Sequence, residues 1–401
     1  MSFFSRKNSV LSIVVDIGSG SLSVALVYYE KEKPPTILHT ISRDFTIANK
    51  PSSDKILLVM TKALDEALSQ LVKVGMDHPK VKKTGKILNS VNISLSSPWF
   101  LPRTKYIDIK KDKEFIVNEN FIKSITISEA DAFREKIKND DKTTDEPLEV
   151  IESKVVDIKV NGYVISRVGN QKTNALTAHL CMALVNKSLI ERVDTIVAKN
   201  THIDKDKIVF HTFPVATFSV VRDLFNQYQD FILLDVTSEV TDLSLVSNDV
   251  LIKTVAIPSG RNFIIRQIAK KFDMPVEIAE SNLSTYSLQK LDKDTSGKIE
   301  EVLIDIEKEW SIYLERALLD LSPELSLPNH LYMTSQSDVA DVYLNYLKLS
   351  KADSTATFRK NLNVVRVQDK ILSGLYNNES HTTPNEFICL IAIYYNKFVF
   401  K

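Results

Sequence analysis

The chain has 401 residues, 44% of them hydrophobic and 25% charged, a composition typical of a globular protein with room for two to four compact units. Lysine and arginine together number 51, as do aspartate and glutamate, so the formal net charge is zero and gives no support to a nucleic-acid partner. The apolar runs fall short of the roughly 20 residues that cross a bilayer, and Cys181 and Cys389 lie within such runs, as buried thiols of a cytoplasmic protein do.

The first element of the chain is a strand that ends in an acidic residue. Residues 12–27 read SIVVDIGSGSLSVALV, in which an apolar run leads into Asp16 and a turn of small residues, and an alternating run follows. Two of only nine glycines, Gly18 and Gly20, stand in this turn. A carboxylate beside the backbone N–H groups of such a turn can hold a phosphate and its Mg²⁺ ion.

The next elements predict an α/β unit. A third strand is predicted over Thr36–Ser42, and apolar residues recur at helical spacing over Asp54–Val74. Strands followed by an amphipathic helix are typical of a mixed sheet with helices packed on it. The pattern then predicts the strand Lys86–Leu101, the helix Ser128–Lys138, the strands Leu148–Val160, Tyr163–Arg167 and Ala175–Val185, and the helix Lys187–Lys199.

A second strand–turn–strand unit follows with the same order of residue types. Residues 231–246 read FILLDVTSEVTDLSLV, where an apolar strand ends in Asp235 and alternation resumes after a polar turn. Taken alone, this pattern indicates a hairpin with a polar turn. Two copies far apart in one chain indicate two related halves that face each other. A phosphate could bind in the cleft between them, in contact with both turns.

The second half of the chain continues with alternating strands and helices. After the strand Val250–Ile257, small residues at Pro258–Asn262 lead into a helix. The remaining predicted elements are the helices Phe263–Phe272, Pro275–Tyr286, Gly297–Leu321 and Asp338–Leu347, the strands His330–Thr334 and Asn363–Val367, and a final helix, Asn385–Phe398.

The two turns resemble those of a known superfamily. DIGSGS at 16–21 resembles the first phosphate loop of the actin-like ATPases, and DVTSEVTDL at 235–243 resembles the second. Within that superfamily the chain is similar to the cell-division protein FtsA and to its relative PilM, the actin-like protein of type IV pilus assembly. The resemblance implies an α/β, actin-like (ribonuclease H-like) fold of two lobes with an inserted SHS2-type α+β subdomain. It divides the chain into a first lobe (1–86 and 187–228), the insertion (87–186), a second lobe (229–384) and a final helix packed back on the first lobe (385–401).

The resemblance also implies a site for ATP and Mg²⁺ between the lobes. Asp16 and Asp235 are expected to bind the metal ion and to face the nucleotide. At the start of the helix after Pro258–Asn262, backbone N–H groups are expected to face the phosphates. The other residues expected around ATP are Gly18, Ser19, Gly20, Ser21, Thr237, Ser238, Thr241, Gly260, Asn262, Glu280, Thr334 and Ser335.

Several positions depart from the pattern of the superfamily. The second loop normally carries three glycines, where this chain has Thr237, Ser238 and Glu239. A carboxylate 4 Å from a phosphate charge costs roughly 4 kcal/mol at an effective dielectric of about 20, unless a cation offsets it. Thr334 and Ser335 replace the glycines at the adenine site. We therefore expect weak or lost ATP binding and a poor or absent ATPase, with a pseudo-ATPase as the alternative.

Three functions are consistent with this pattern. The first is an FtsA-type cytoplasmic scaffold that recruits a tubulin-like division protein and self-associates. The second is a PilM-like component that captures a short peptide of an inner-membrane pilus protein. The third, an active ATPase or kinase, is disfavoured by the altered loops. In each case the chain is expected in the cytoplasm, and it would reach the inner face of the membrane only through a partner.

Overall fold

The computed structural model describes residues 8–45, 53–140, 146–165, 167–322, 327–353 and 362–400, and these residues form three β-sheets with helices between and around them. Parts of the predicted division of the chain, and Ser166 in the predicted strand Tyr163–Arg167, lie outside the described residues. Within the described residues, no helix has both the length and the apolar character that crossing a bilayer requires.

The described residues contain the following strands, numbered in chain order. They are β1 (Ser9–Ile17), β2 (Ser21–Glu30), β3 (Thr36–Asp44), β4 (Leu88–Leu95), β5 (Leu101–Val117), β6 (Leu148–Val160), β7 (Tyr163–Val164), β8 (Gln171–Asn186), β9 (Ile208–Thr212), β10 (Phe231–Val236), β11 (Thr241–Ser247), β12 (Val250–Ile257), β13 (His330–Ser335), β14 (Asn363–Arg366) and β15 (Asn377–Asn378). The helices are α1 (Ser53–Gly75), α2 (Pro79–Thr84), α3 (Glu119–Asp140), α4 (Lys187–Thr201), α5 (Phe213–Leu224), α6 (Arg261–Phe272), α7 (Val276–Ser287), α8 (Lys293–Leu321), α9 (Ser337–Asp353), α10 (Asp369–Leu372) and α11 (Glu386–Asn396).

Two of the sheets share one topology. The first has the order β15-β3-β2-β1-β4-β9 and the second the order β12-β11-β10-β13-β14. β1 pairs antiparallel with β2 and parallel with β4, and β10 pairs in the same way with β11 and β13. Asp16 lies opposite Ser23 in the first sheet, and Asp235 lies opposite Asp242 in the second. The predicted duplication of a strand–turn–strand unit is therefore confirmed.

The strands of the first sheet are apolar on both faces because both faces are covered. On the outer face, α1 and α4 pack together in one hydrophobic cluster with residues of β1, β2 and β4. On the inner face, α5 and α11 pack against each other in a cluster that also contains residues of the second sheet. The rings of Phe213 in α5 and Phe387 in α11 lie 5.2 Å apart. These two helices therefore form the core between the lobes.

The outer face of the second sheet is covered by the helices α6 to α9. Their cluster is centred on Trp310, which is 1% exposed and whose ring contacts those of Tyr343 and Tyr346. Each of the first two sheets thus has its own outer core, and they share the inner core of α5 and α11.

The third sheet has the order β5-β8-β6-β7 and packs against α3 around its own small core. It is tied to both lobes by hydrogen bonds. The Thr104 hydroxyl donates to the carbonyl of Leu251 in the second lobe (3.0 Å). The buried carboxylate of Glu152 accepts from the hydroxyl (2.6 Å) and backbone N–H of Thr212 in the first.

The inserted region differs from the prediction at its beginning. The strand predicted to open it, Lys86–Leu101, supplies β4, which pairs with β1 and β9 in the first sheet. The third sheet begins instead with β5, which the prediction missed because the charged run at 110–114 hides its alternation. Helix α3 starts well before Ser128, because the Asn118 side chain accepts a hydrogen bond from the N–H of Phe121 (2.9 Å) and caps it.

Replacing Ile388 with alanine is expected to lower the free energy of unfolding by about 3 kcal/mol, because Ile388 is fully buried in the core between the lobes. Urea unfolding followed by circular dichroism measures this change. The matched control is Ile278→Ala on α7, where the side chain is 51% exposed and the expected change is below about 0.5 kcal/mol. Equal effects of the two substitutions would contradict the role given to α11.

Candidate functional site

The two acid-tipped strands meet at one place between the lobes. Asp16 and Asp235 are each the second-last residue of their strands, β1 and β10, and both are buried (3% and 5% exposed). Burial raises the pKa of Asp16 to about 7. Burial also raises the pKa of Asp235 well above its ordinary value, and the charges of Asp242 and Asp16 raise it further. The Asp16 carboxylate is thus close enough for its charge to raise the pKa of Asp235 in the other lobe.

The first turn (residues 18–20) touches the second turn (residues 237–240). The hydroxyl of Ser19 accepts a hydrogen bond from the N–H of Glu239 (2.8 Å) and lies 3.3 Å from the hydroxyl of Thr237. A Cβ atom on Gly20 would lie 2.6 Å from Cβ of Ser238 and 2.5 Å from Nδ2 of Asn262. Gly20 therefore serves the contact between the lobes, and the space beside it is already filled.

Within the first turn, the backbone is tightly folded. The N–H of Gly18 donates to the carbonyl of Ser21 (2.9 Å), and the indole N–H of Trp99 donates to the carbonyl of Gly18 (2.8 Å). Ser21 is the half-buried first residue of β2. These bonds hold the turn against the loop that follows β4.

The start of α6 differs from the expectation that its N–H groups face a nucleotide. The N–H of Arg261 donates to the carbonyl of Thr237 (3.0 Å), and the N–H of Asn262 donates to the carbonyl of Ser238 (2.7 Å). A Cβ on Gly260 would lie 2.4 Å from the carbonyl oxygen of Thr237. The second turn thus places its own carbonyl dipoles at the positive end of the helix, where a phosphate was expected.

The Arg261 guanidinium occupies the part of the cleft where Glu280 was expected to meet the ribose. It is 5% exposed, and its Nη1 donates to Glu280 Oε1 (2.8 Å). Its Nε and Nη2 lie 2.8 and 2.7 Å from Oδ2 of Asp338. Glu280 is therefore engaged by a protein cation. Across the cleft, Asp44 of the first lobe accepts a hydrogen bond from Gln336 (3.1 Å).

Glu239, which was expected to repel a triphosphate, is neutralised within the protein. Arg266 donates to its two carboxylate oxygens at 2.9 and 2.7 Å, and Nδ2 of Asn262 donates to one of them at 3.0 Å. The pair is largely buried, with side chains 14% and 18% exposed. A bidentate arginine thus supplies the offsetting cation, within the second lobe.

The remaining predicted residues have internal partners or lie buried beside the acids. The Thr334 hydroxyl donates to Oδ1 of Asp235 (2.7 Å), and the Thr241 hydroxyl donates to the carbonyl of Ser259 (2.6 Å). Among the described residues, the buried hydroxyls of Ser238 and Ser335 have no hydrogen-bond partner. The turns, Asn262 and Thr334 are thus brought together around the acids, whereas Thr241 bonds within the second lobe.

Five residues of this site were missed in the sequence. Arg261 and Arg266 lie on α6, but their acidic partners are distant in sequence, as the 77 residues between Arg261 and Asp338 illustrate. Two further acids were also missed. Asp44 is the last residue of β3, and Asp242 lies on β11, where burial raises its pKa to about 6. For Asp242 there was one signal in the sequence, because pairing the two strands of the second hairpin places it directly opposite Asp235.

The donor set fits part of what a magnesium–nucleotide complex needs. Oδ1 of Asp16 and Oδ2 of Asp235 have no hydrogen-bond partner among the described residues, and carboxylate oxygens are ligands that Mg²⁺ prefers. A search of the described residues finds no cluster of three or more histidine, cysteine, aspartate or glutamate side chains suited to a metal ion. The N–H groups of Arg261 and Asn262, which a phosphate would require, are already bonded to Thr237 and Ser238.

Comparison with known proteins supports the fold. No protein-family model and no curated protein sequence matches the chain. Among solved structures, a PilM–PilN type IV pilus biogenesis complex matches with a TM-score of 0.63 and 15% identity, over 97% of this chain and 98% of that one. EutJ of Carboxydothermus hydrogenoformans, an ethanolamine utilization protein, matches with a TM-score of 0.43 and 12% identity, over 97% and 89%. A Bacteroides thetaiotaomicron protein with an actin-like ATPase fold matches with a TM-score of 0.41 and 9% identity, over 91% and 93%.

The duplicated sheets, the paired acid-tipped turns and the structural match define the fold. The chain has the actin-like ATPase fold. The structure most similar in fold among those compared above is that of PilM in its complex with PilN.

Asp16→Asn is expected to stabilise the protein at pH 8. The pKa of Asp16 is raised from 3.8 to about 7 in the folded state, so folding takes up a proton and the associated stability is lost as pH rises from about 4 through 7. The amide removes this dependence, and the gain at pH 8 is on the order of 4 kcal/mol. Urea unfolding at pH 5 and pH 8 measures it.

The control for this substitution is Asp65→Asn. A hydrogen bond from Lys199 lowers the pKa of Asp65, so its amide variant should gain nothing at pH 8. If the wild type and Asp16→Asn were equally stable at pH 8, the pKa of Asp16 would not be raised by burial in the folded protein.

Proposed function

We propose that the chain is a PilM-like scaffold, which binds a segment of a partner protein and does not turn over ATP. The observation that carries the proposal is the contact between the two turns, where Gly20 packs on Ser238 and the N–H groups of α6 bind the carbonyls of Thr237 and Ser238. An ATPase of this fold needs those groups for phosphates, whereas a scaffold needs only the lobes held in a fixed relation.

The buried ion pairs oppose entry of a nucleotide. Glu280 and Asp338 both depend on Arg261, and Glu239 depends on Arg266. Separating a buried pair leaves uncompensated charge and costs about 3–5 kcal/mol. A nucleotide that displaced Arg261 would have to offset this cost and would bring its negative charge towards Glu280, Asp338 and Asp44.

The structural match supports the PilM-type assignment over the others. It extends along nearly the whole of both chains, and the matched structure is a complex of PilM with the pilus protein PilN. By this analogy the partner is a short segment of an inner-membrane pilus protein. The FtsA-type role, with a tubulin-like division protein as partner, is the second candidate that the binding experiment below tests.

A groove between the insertion and the first lobe is the proposed docking surface. Its volume is about 280 Å³, and α1, α4, the loop before β5 and the third sheet line it. The floor is apolar, with Leu57 and Trp99 on the first-lobe side and Ile137 and Leu148 on the other. Leu101 stands at the groove with 42% of its surface exposed. A groove of this size accommodates two or three apolar side chains of an extended peptide.

The rim of the groove indicates the charge of the partner segment. Asp54, Glu146 and Asn186 are exposed at the rim, and the half-buried Ser188 donates a hydrogen bond to Glu146 (3.2 Å). Asn186 precedes α4 without capping it through its side chain. Because the charged rim residues are both acidic, the groove fits a segment with apolar anchors and a flanking lysine or arginine.

Titration calorimetry with ATP and Mg²⁺ is expected to show no saturable binding below about 1 mM, with Asp16→Ala indistinguishable from the wild type. Glu239→Gly should not restore binding, because the N–H groups of α6 remain bonded to the second turn. A micromolar affinity for ATP that Asp16→Ala abolishes would overturn the non-catalytic part of the proposal.

Leu101→Glu is expected to weaken binding of the partner segment at least about tenfold, because it puts a carboxylate in an apolar groove beside an acidic rim. The probe is a labelled N-terminal peptide of a pilus inner-membrane protein, followed by fluorescence anisotropy. Ile116→Glu is the matched control, since Ile116 is on the same strand, is 51% exposed and does not line the groove.

A labelled C-terminal peptide of a tubulin-like division protein is tested in parallel. Binding of that peptide alone would favour the FtsA-type role, and binding of neither peptide would leave only the fold. Equal loss of affinity in Leu101→Glu and Ile116→Glu would place the partner somewhere other than in the groove.

A further inference from the structure

Helix α8 has an apolar stripe on its exposed face. It is 29 residues long, and its inner face, centred on Trp310, is buried in the second lobe. On the outer face, Ile304, Ile312 and Leu319 are 48%, 53% and 51% exposed. One exposed aliphatic residue is ordinary, but three on one helix are a pattern that calls for a partner.

The three residues share their face with two charges. Ile304, Lys308, Ile312, Glu315 and Leu319 follow one another at steps of four, four, three and four residues, the spacing of a single helix face. The stripe is about 22 Å long at 1.5 Å per residue. It therefore has the length and periodicity of a surface that packs against one other helix.

We propose that this stripe pairs with the same stripe of a second copy of the chain, antiparallel, about a two-fold axis between Ser311 and Ile312. In that register Ile304 of one copy meets Leu319 of the other, and the two Ile312 side chains meet near the axis. Lys308 then faces Glu315. Each contact occurs twice by symmetry, as in an isologous interface.

The charges select this arrangement over its alternatives. A parallel pair would set Lys308 against Lys308 and Glu315 against Glu315. An antiparallel pair centred on Lys308 would join Ile304 to Ile312, but it would place the two Lys308 ammonium groups together and Glu301 opposite Glu315. The register centred between Ser311 and Ile312 uses all three apolar residues and sets each Lys308 opposite a Glu315.

The intramolecular ion pair of Lys308 allows this exchange. Lys308 pairs with Asp305 at 3.1 Å, but both side chains are about 70% exposed, so that ion pair contributes little and can be replaced. The other side of α8 packs on α6, α9, β11 and β12, which leaves the stripe directed away from the second lobe. None of the five stripe residues lines the groove, which the first lobe and the insertion form, so the pairing uses a surface other than the proposed docking surface.

Sedimentation velocity over a concentration series tests the pairing. The wild type is expected to show a monomer–dimer equilibrium, and Ile312→Ser to raise the dissociation constant at least about tenfold. Ile278→Ser on α7 is the matched control, since Ile278 is equally exposed and lies outside the stripe, and it should leave the equilibrium unchanged.

A charge exchange tests the register. Lys308→Glu alone and Glu315→Lys alone should each weaken the dimer about tenfold, because each places like charges together twice, and the double variant should recover the wild-type constant. Circular dichroism establishes that each variant is folded. Ser311→Cys provides a second measurement, because its position beside the axis allows a disulfide between copies on oxidation, whereas Leu288→Cys on the same lobe should not cross-link.

A wild type that is monomeric at every concentration would overturn the proposal. So would a dimer that Ile312→Ser leaves intact, or one in which the double charge variant fails to recover. Because these measurements use the chain alone, without nucleotide or peptide, their failure would leave the proposed scaffold function standing.

Discussion

The contact between the two acid-tipped turns determines what the cleft can do. Each lobe brings one turn to the same point because each is built on the same strand order, with the acid at the end of a central strand. The turns then meet without a side chain at Gly20, so Ser238 and Asn262 approach the backbone of the first lobe directly. The polypeptide itself therefore supplies contacts that bridge the two lobes at this point.

The charges of the cleft follow from that contact. The cleft has several buried or half-buried carboxylates, and each needs a proton or a cation to offset the cost of its burial. Arg261 serves Glu280 and Asp338, Arg266 serves Glu239, and burial raises the pKa of Asp16 and Asp235 so that protonation is favoured. The two arginines therefore neutralise Glu280, Asp338 and Glu239 from within the protein.

Much of the fold could be predicted from the sequence because its signals are local. The apolar runs that end in Asp16 and Asp235 indicated buried strands, and their repetition indicated two lobes. The strand β5 was missed because a charged run masks its alternating pattern. The early start of α3 was missed because it depends on the capping side chain of Asn118. The content of the cleft depends on pairs far apart in the chain, such as Arg261 with Asp338, and no local pattern reports them.

The position of α11 between the lobes has a consequence for biosynthesis. The inner face of β1 and β2 is covered only when a helix made more than 350 residues later arrives, as the bond from Asn385 to Ser23 across 362 residues illustrates. While the ribosome is still translating, that apolar surface is open to the solvent. Such long-range closure slows folding and favours misassembly. Until α11 has been synthesised, the nascent chain therefore exposes an apolar surface that a chaperone can bind.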